Sequence, residues 1–142
     1  MSLFLMVLMK KIKNALRLSS LPMTISLLIL ILFRFVFLLG YVPTASMEPA
    51  LKTGSLLLGV RVWGDIQKGD IIVFQHNKEY LVKRVEAVEG DLIESNGENL
   101  VVPEGGFYVL GDNGQCSYDS RYWEYPFVMN DDIVAKVILP TR

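Results

Sequence analysis

The pattern of apolar and polar positions changes character once along the chain, near residue 42. Before that point, Leu21–Val42 is apolar over 22 residues with one charge, Arg34. A helix rising about 1.5 Å per residue covers roughly 33 Å over such a run, enough for the hydrocarbon core of a bilayer. Beyond it, short apolar stretches alternate with turn residues: Gly54, Gly64, Gly69-Asp70, Gly90-Asp91, Gly105-Gly106 and Gly111-Asp112. Ser55–Val62, Asp70–Gln75, Tyr80–Val88, Asp91–Ser95, Glu98–Val102, Phe107–Leu110 and Ile133–Leu139 read as strands. His76-Asn77-Lys78-Glu79 reads as a hairpin tip, and Asn96-Gly97 is a type I′ turn signal. No helical period of useful length follows Pro49. The pattern predicts one N-terminal transmembrane helix, about residues 18–40, followed by a compact all-β domain. The domain reading is 1–41 for a basic cytoplasmic segment with its anchor and 42–142 for the β domain.

Charge sharpens this division. The net charge of −1 hides an uneven split. Residues 1–41 carry Lys10, Lys11, Lys13, Arg17 and Arg34 and no acid, while residues 42–142 hold all 15 acidic groups and nine basic ones. An acidic domain argues against nucleic acid, whose phosphates need a basic face. Basic residues ahead of the apolar run put the N-terminus in the cytoplasm and residues after Val42 outside. A cleaved signal peptide is the rival reading, with Pro43-Thr44-Ala45 at its exit, but its apolar core should span only about 7–15 residues. Arg34 either snorkels to the outer interface, or the helix ends near it and Phe35–Val42 already belongs to the outer domain. The single cysteine, Cys116, permits no internal disulfide, and no Cys/His cluster offers a metal site. One histidine, His76 at a hairpin tip, leaves little material for a serine–histidine triad.

Two residues carry chemistry. On a strand alternate residues share a face, so Leu81, Lys83, Val85 and Ala87 point together and Lys83 is their only polar member. A free lysine, with a pKa of about 10.4, is no base at neutral pH, and burial can lower that value by up to 3–5 units. A lysine that snorkels past its neighbours to the rim is the competing reading. Ser46 sits in Pro43-Thr44-Ala45-Ser46-Met47-Glu48-Pro49. Taken alone this is a turn after a membrane exit. The two prolines also restrict the backbone, as a nucleophile with fixed Oγ and N–H positions requires.

These segments together resemble a family. Pro43–Leu51 (PTASMEPAL), Gly69–Phe74 (GDIIVF), Lys83-Arg84-Val85 with Gly90-Asp91, and Gly111–Arg121 (GDNGQCSYDSR) are similar, in order, to four boxes of the type I signal peptidases. Those are membrane-anchored serine–lysine endopeptidases. The resemblance implies a signal-peptidase-like β domain in which Ser46 is the nucleophile and Lys83 the general base. It implies that Ser117 hydrogen-bonds the Lys83 amine, and that the Ser46 N–H and the Thr44 hydroxyl hold the oxyanion. It further implies that Asp112 pairs with Arg121, that Asp119 and Ser120 complete the last turn, and that Met47 lines the floor. No metal or organic cofactor is needed, because the lysine replaces both.

The implied partners are precursors carrying signal peptides, cut after small residues at −3 and −1, together with the lipid bilayer. The implied location is the inner (plasma) membrane, or the mitochondrial inner membrane in a eukaryote. An extended substrate would pair along a strand edge near Asp70–Gln75 or Lys83. Thr44, Ala45 and Ala50 stand where the family has serine, glycine and threonine. The 36 residues between Ser46 and Lys83 leave no room for a large inserted β domain, so the chain resembles a minimal form with one anchor. A dedicated processing peptidase of conjugation, pilin or mitochondrial systems is the nearest alternative. A repressor-type autoprotease shares the Ser-Met-x-Pro segment, but it should lack both the span and the Asp-Ser-Arg box. An inactive membrane-anchored β module is a third reading, against which Ser46, Lys83 and Ser117 are all intact.

Overall fold

Thirty-three consecutive residues, Leu3–Phe35, form one helix, α1, with Pro22 inside it. The computed structural model describes residues 3–61, 64–95 and 97–140, and leaves aside the side chains of residues 3–5 and 15–19. Val62 and Asn96, which the sequence reading assigns to a strand and a turn, lie outside the described residues. The chain divides into two compact units, residues 1–35 and 36–142.

The helix differs from the one expected over 18–40, and its end moves the domain boundary from residue 41 to residue 35. Phe37–Tyr41 is not helical but forms strand β1, paired antiparallel with Leu56–Val60 (β2), Phe37 opposite Val60 and Tyr41 opposite Leu56. The helical part of the 22-residue apolar run is therefore Leu21–Phe35, about 22 Å at 1.5 Å per residue, against roughly 30 Å of hydrocarbon. Among the described residues no helix is long and apolar enough to cross a membrane.

The second unit is built on a seven-stranded antiparallel sheet in the order β1-β2-β9-β3-β4-β7-β8. Its other strands are Ile71–His76 (β3), Glu79–Val88 (β4), Gly106–Leu110 (β7), Phe127–Met129 (β8) and Ile133–Leu139 (β9). Leu92–Ser95 (β5) and Glu98–Val101 (β6) form a separate hairpin. An all-β domain is thus what the sequence periodicity predicts and what the chain forms. The β3–β4 hairpin closes through Asn77 and Lys78, both at positive φ (50° and 69°), the backbone of a two-residue type I′ turn. Strands β1 and β8 were not among those predicted. The first is hidden in an apolar run that reads equally well as helix, and the second has three residues.

Strand β3 is central and buried on both faces from Ile71 to Phe74. Alternate residues serve two cores. Ile71 and Val73 pack with Val42, Met47, Leu51, Leu57, Ala135 and Val137. Ile72 and Phe74 pack with Val85, Val109, Trp123, Val128 and Ile133. Because β9 and β4 flank β3, the Asp70–Gln75 edge expected to receive a substrate is closed. Strand β4 is different. It pairs with β3 over Glu79–Arg84 but with β7 only from Arg84 to Val88, so Glu79–Lys83 keeps one open edge. Strands β1 and β8, at the two ends of the sheet, each keep an open edge as well.

Phe74 is fully buried and meets the Trp123 ring edge-on at 6.0 Å. Phe74→Ala is expected to destabilise the β unit by about 3–5 kcal/mol, read as a lowered midpoint in urea unfolding followed by tryptophan fluorescence. An unchanged midpoint would show that β3 is not the packing centre.

Candidate active site

Ser46 is held where the chain leaves β1. Thr44 is extended (φ −127°, ψ 158°), and Ala45–Met47 makes one 3₁₀ turn. The turn is pinned from below, because Met47 and Leu51 are buried in the first core and the Leu51 N–H donates to the Met47 carbonyl at 2.8 Å. It is pinned from the side by the Asn113 N–H, which donates to the Ser46 carbonyl at 3.0 Å. Ser46 is itself buried, and its Oγ lies 3.3 Å from the Thr44 hydroxyl.

Lys83 lies opposite Ile72 on β4, on an otherwise apolar face. It is 3 % exposed, so the snorkelling alternative is not what this lysine does. Its Nζ donates to Ser46 Oγ at 2.9 Å. Burial pushes the amine below its usual value; the Asp119 charge opposes this and the Arg121 charge adds to it. Among the described residues no carboxylate forms an ion pair with Lys83.

Residues 111–121 close over this contact around one carboxylate. Asp119 is fully buried. Its Oδ2 accepts from the Ser117 hydroxyl at 2.6 Å, the Gly111 N–H at 2.9 Å and Arg121 Nη2 at 2.8 Å, while Oδ1 accepts from Arg121 Nε at 2.8 Å. Burial alone would raise its pKa, but the bonds from Arg121, Gly111 and Ser117 hold it below the ordinary carboxylate value. Ser120, also buried, accepts from the Val109 N–H at 3.0 Å. Gly111 is a point of close approach: a Cβ there would run into Ser117 and would lie 2.6 Å from the Ser46 carbonyl oxygen.

Two expected partnerships are replaced. Asp112 does not pair with Arg121. Its carboxylate is gripped at both oxygens by Arg84, Nε to Oδ1 and Nη2 to Oδ2, each at 2.7 Å, and Arg84 Nη1 reaches the Gly69 carbonyl at 2.7 Å. Arg121 instead turns back on Asp119, two residues away. Ser117 forms no direct hydrogen bond to Lys83; its proton goes to Asp119, because a carboxylate is the stronger acceptor. Ser46, Lys83, Thr44 and Met47 do meet, and Ser117, Asp119, Ser120 and Arg121 gather beside them. Sequence reasoning gave no role to Arg84 and read Gly111 as a turn residue. The adjacency of Arg84 to Lys83 was the available signal.

The Ser46–Lys83 contact lies at one end of a cleft of about 550 Å³. Its walls include Leu38–Thr44 on one side and Glu79–Lys83 on the other. Both strands have an open edge facing this cleft. Alternating antiparallel pairing through β2, β9 and β3 makes β1 and β4 run in the same direction, both toward the Ser46–Lys83 end.

A buried lysine thus touches a serine hydroxyl at the end of this cleft. Comparison with known proteins identifies a family. The family described as "Signal peptidase, peptidase S26" matches residues 15–102 and 96–141. Signal peptidase I of Leptolyngbya laminosa is 29% identical over 135 residues, covering 70% of this chain and 66% of the relative. Signal peptidase IB of Staphylococcus aureus (strain Mu50 / ATCC 700699) is 29% identical over 138 residues, covering 65% of this chain and 71% of the relative. The chain thus spans about two thirds of the length of these relatives. On the extent of the family match, it belongs to the signal peptidase family, peptidase S26, a family of serine peptidases.

Proposed function

We propose that the protein removes N-terminal signal peptides from exported precursors as a serine endopeptidase with a Ser46–Lys83 dyad. The observation that carries this reading is the 2.9 Å contact between Ser46 Oγ and the buried Lys83 Nζ. With the amine neutral, its lone pair accepts the Ser46 proton along the same line while Oγ attacks the scissile carbonyl carbon. The Ser46 N–H and the Thr44 hydroxyl, beside Oγ, meet the charge that develops on the carbonyl oxygen. The Lys83 ammonium then gives its proton to the leaving amine, leaving an acyl group on Ser46. Lys83 next takes a proton from water, whose oxygen attacks the ester and frees Ser46. Ser117 acts through Asp119, fixing the carboxylate whose charge bears on Lys83.

An extended precursor lies in the cleft and pairs with the open edges of β1 and β4. Residues before the cut occupy the cleft in the direction of those strands, with small side chains at −3 and −1. The substrate class follows the signal peptidase family to which the chain belongs.

The bilayer is the second partner. Leu21, Met23, Ile25, Leu27–Leu30 and Phe33 of α1 all expose large apolar side chains, more contiguous apolar surface than a water-soluble monomer ordinarily presents. We propose that α1 holds the enzyme at the membrane, with the preceding lysines on the cytoplasmic side and the β unit outside. The apolar part of α1, Leu21–Phe35, is shorter than the hydrocarbon core, so this placement requires the bilayer to thin around it. Protease added to intact cells is expected to digest residues 42–142 while sparing a tag at the N-terminus. Protection of the β unit would overturn that orientation.

Ser46→Ala and Lys83→Met are each expected to lower kcat/KM on a preprotein or an Ala-x-Ala peptide by roughly 10³-fold or more, and the double variant should be no worse than either. Substantial activity in either single variant would sink the dyad. The base is active only when neutral, so activity should rise with pH through the Lys83 pKa. That limb should lie below the 10.5 of an ordinary lysine. Arg121→Gln removes a cation that lowers Lys83 and releases Asp119 to favour the ammonium, so it should move the limb to higher pH. A limb at the ordinary lysine value in the parent, or a downward move in the variant, would contradict this account.

A further inference from the structure

The cleft carries three charged residues along its walls: Lys83 at the catalytic end, Glu79 and Arg61. Glu79 starts β4, four residues before Lys83, about 13 Å away at roughly 3.3 Å per residue. Arg61 is tied to the start of β1, since its Nε donates to the Phe37 carbonyl at 3.3 Å and its own N–H donates to the Val36 carbonyl at 2.7 Å. Both therefore stand at the end of the cleft remote from the dyad. Arg61 is half-buried, and among the described residues no carboxylate pairs with it. A guanidinium has five N–H donors. The carbonyl bond orients the group and leaves the Nη donors for a ligand in the cleft.

We infer that Arg61 is a specificity-determining residue, selecting precursors with a carboxylate or side-chain carbonyl five residues before the scissile bond. This rests on the peptidase reading above. An extended chain with its −1 residue beside Lys83 brings its −5 residue level with Glu79, four residues back along β4. Alternate residues of a strand share a face, so −5 points with −3 and −1 into the walls that Arg61 helps to form, and −4 points away. Glu79 favours the opposite charge, but it is exposed and screened by water, whereas Arg61 is half-buried and held by Phe37. The sign of the preference therefore follows Arg61. A fork of N–H donors also suits a carboxylate better than a point charge does.

The test uses the full chain in detergent with quenched-fluorescence peptides sharing one Ala-x-Ala site and carrying Glu, Gln or Lys at −5, and the same set at −4. The reading is the ratio of kcat/KM for Glu over Lys, which a general loss of activity leaves untouched. The parent is expected to favour Glu at −5 by about fivefold, as for a partly exposed charge pair, with no comparable preference at −4. Arg61→Glu should invert the −5 ratio and Arg61→Lys should keep its direction. Equal cleavage of Glu and Lys peptides at −5, a preference confined to −4, or a ratio unmoved by Arg61→Glu would each overturn the assignment while leaving the peptidase reading intact. Failure of the parent to cut any peptide or preprotein would overturn both.

Discussion

An amine that is taken out of water and given only a hydroxyl for company is the condition on which this site depends. In solution Lys83 would keep its proton through the neutral range. Inside the β unit it is 3 % exposed and its polar contact is Ser46 Oγ. Burying an ammonium with no counter-ion costs several kcal/mol, and a lysine avoids much of that cost by giving up its proton. The apolar face shared with Leu81 and Val85 supplies the desolvation, and the pinned turn at Ala45–Met47 supplies the partner. Neither is sufficient alone. A lysine on a looser edge would snorkel, and a serine on a looser turn would not wait at 2.9 Å.

The same condition explains why Asp119 is so heavily bonded. A carboxylate near the lysine, if free, would pair with it and lock it as an ammonium. Here the lone pairs of Asp119 are committed to Arg121, the Gly111 N–H and Ser117. Its negative charge is offset by the guanidinium two residues on, whose own charge lowers Lys83 further. The ion pair is thus better understood as a device for neutralising a necessary anion than as a source of stability, since a buried pair seldom repays its desolvation. The second pair, Arg84–Asp112, has a different task. It ties the start of the 111–121 segment to β4 at the residue after Lys83, so that the two halves of the site share one anchor.

How much of this was legible in the sequence depended on the range of the interaction. Lys83 stood out because one polar residue in an apolar alternation is a local anomaly, and the turn residues between strands are local too. The resemblance of four short segments then joined Ser46 to Lys83 across 37 positions, which no periodicity can do. Partner choice was another matter. Asp112, Asp119, Arg84 and Arg121 offer several plausible pairings, and which forms is decided by the path of the backbone at Gly111, where there is no room for a side chain. The helix expected over 18–40 overlaps Phe37–Tyr41 for a related reason, while the alternative end near Arg34 agrees with the strand found there. An apolar run does not declare its period, and only pairing with Leu56–Val60 makes it a strand.

In the proposed peptidase, strand β1 matters most for how a substrate would be held. Open strand edges invite unwanted pairing, and folded proteins usually cover or blunt them. Two of the edges this sheet leaves open, at β1 and at Glu79–Lys83 of β4, border the same cleft. Their common direction means that a chain running between them meets both edges in one orientation. The exposed Leu39 and Tyr41 of β1 and Tyr80 of β4 show that apolar surface here has not been replaced by the charges that ordinarily protect an edge. On the proposed function, an extended precursor would add to these edges as a further strand and present its scissile bond to the dyad. Had the helix continued to residue 40, the first of these edges would not exist.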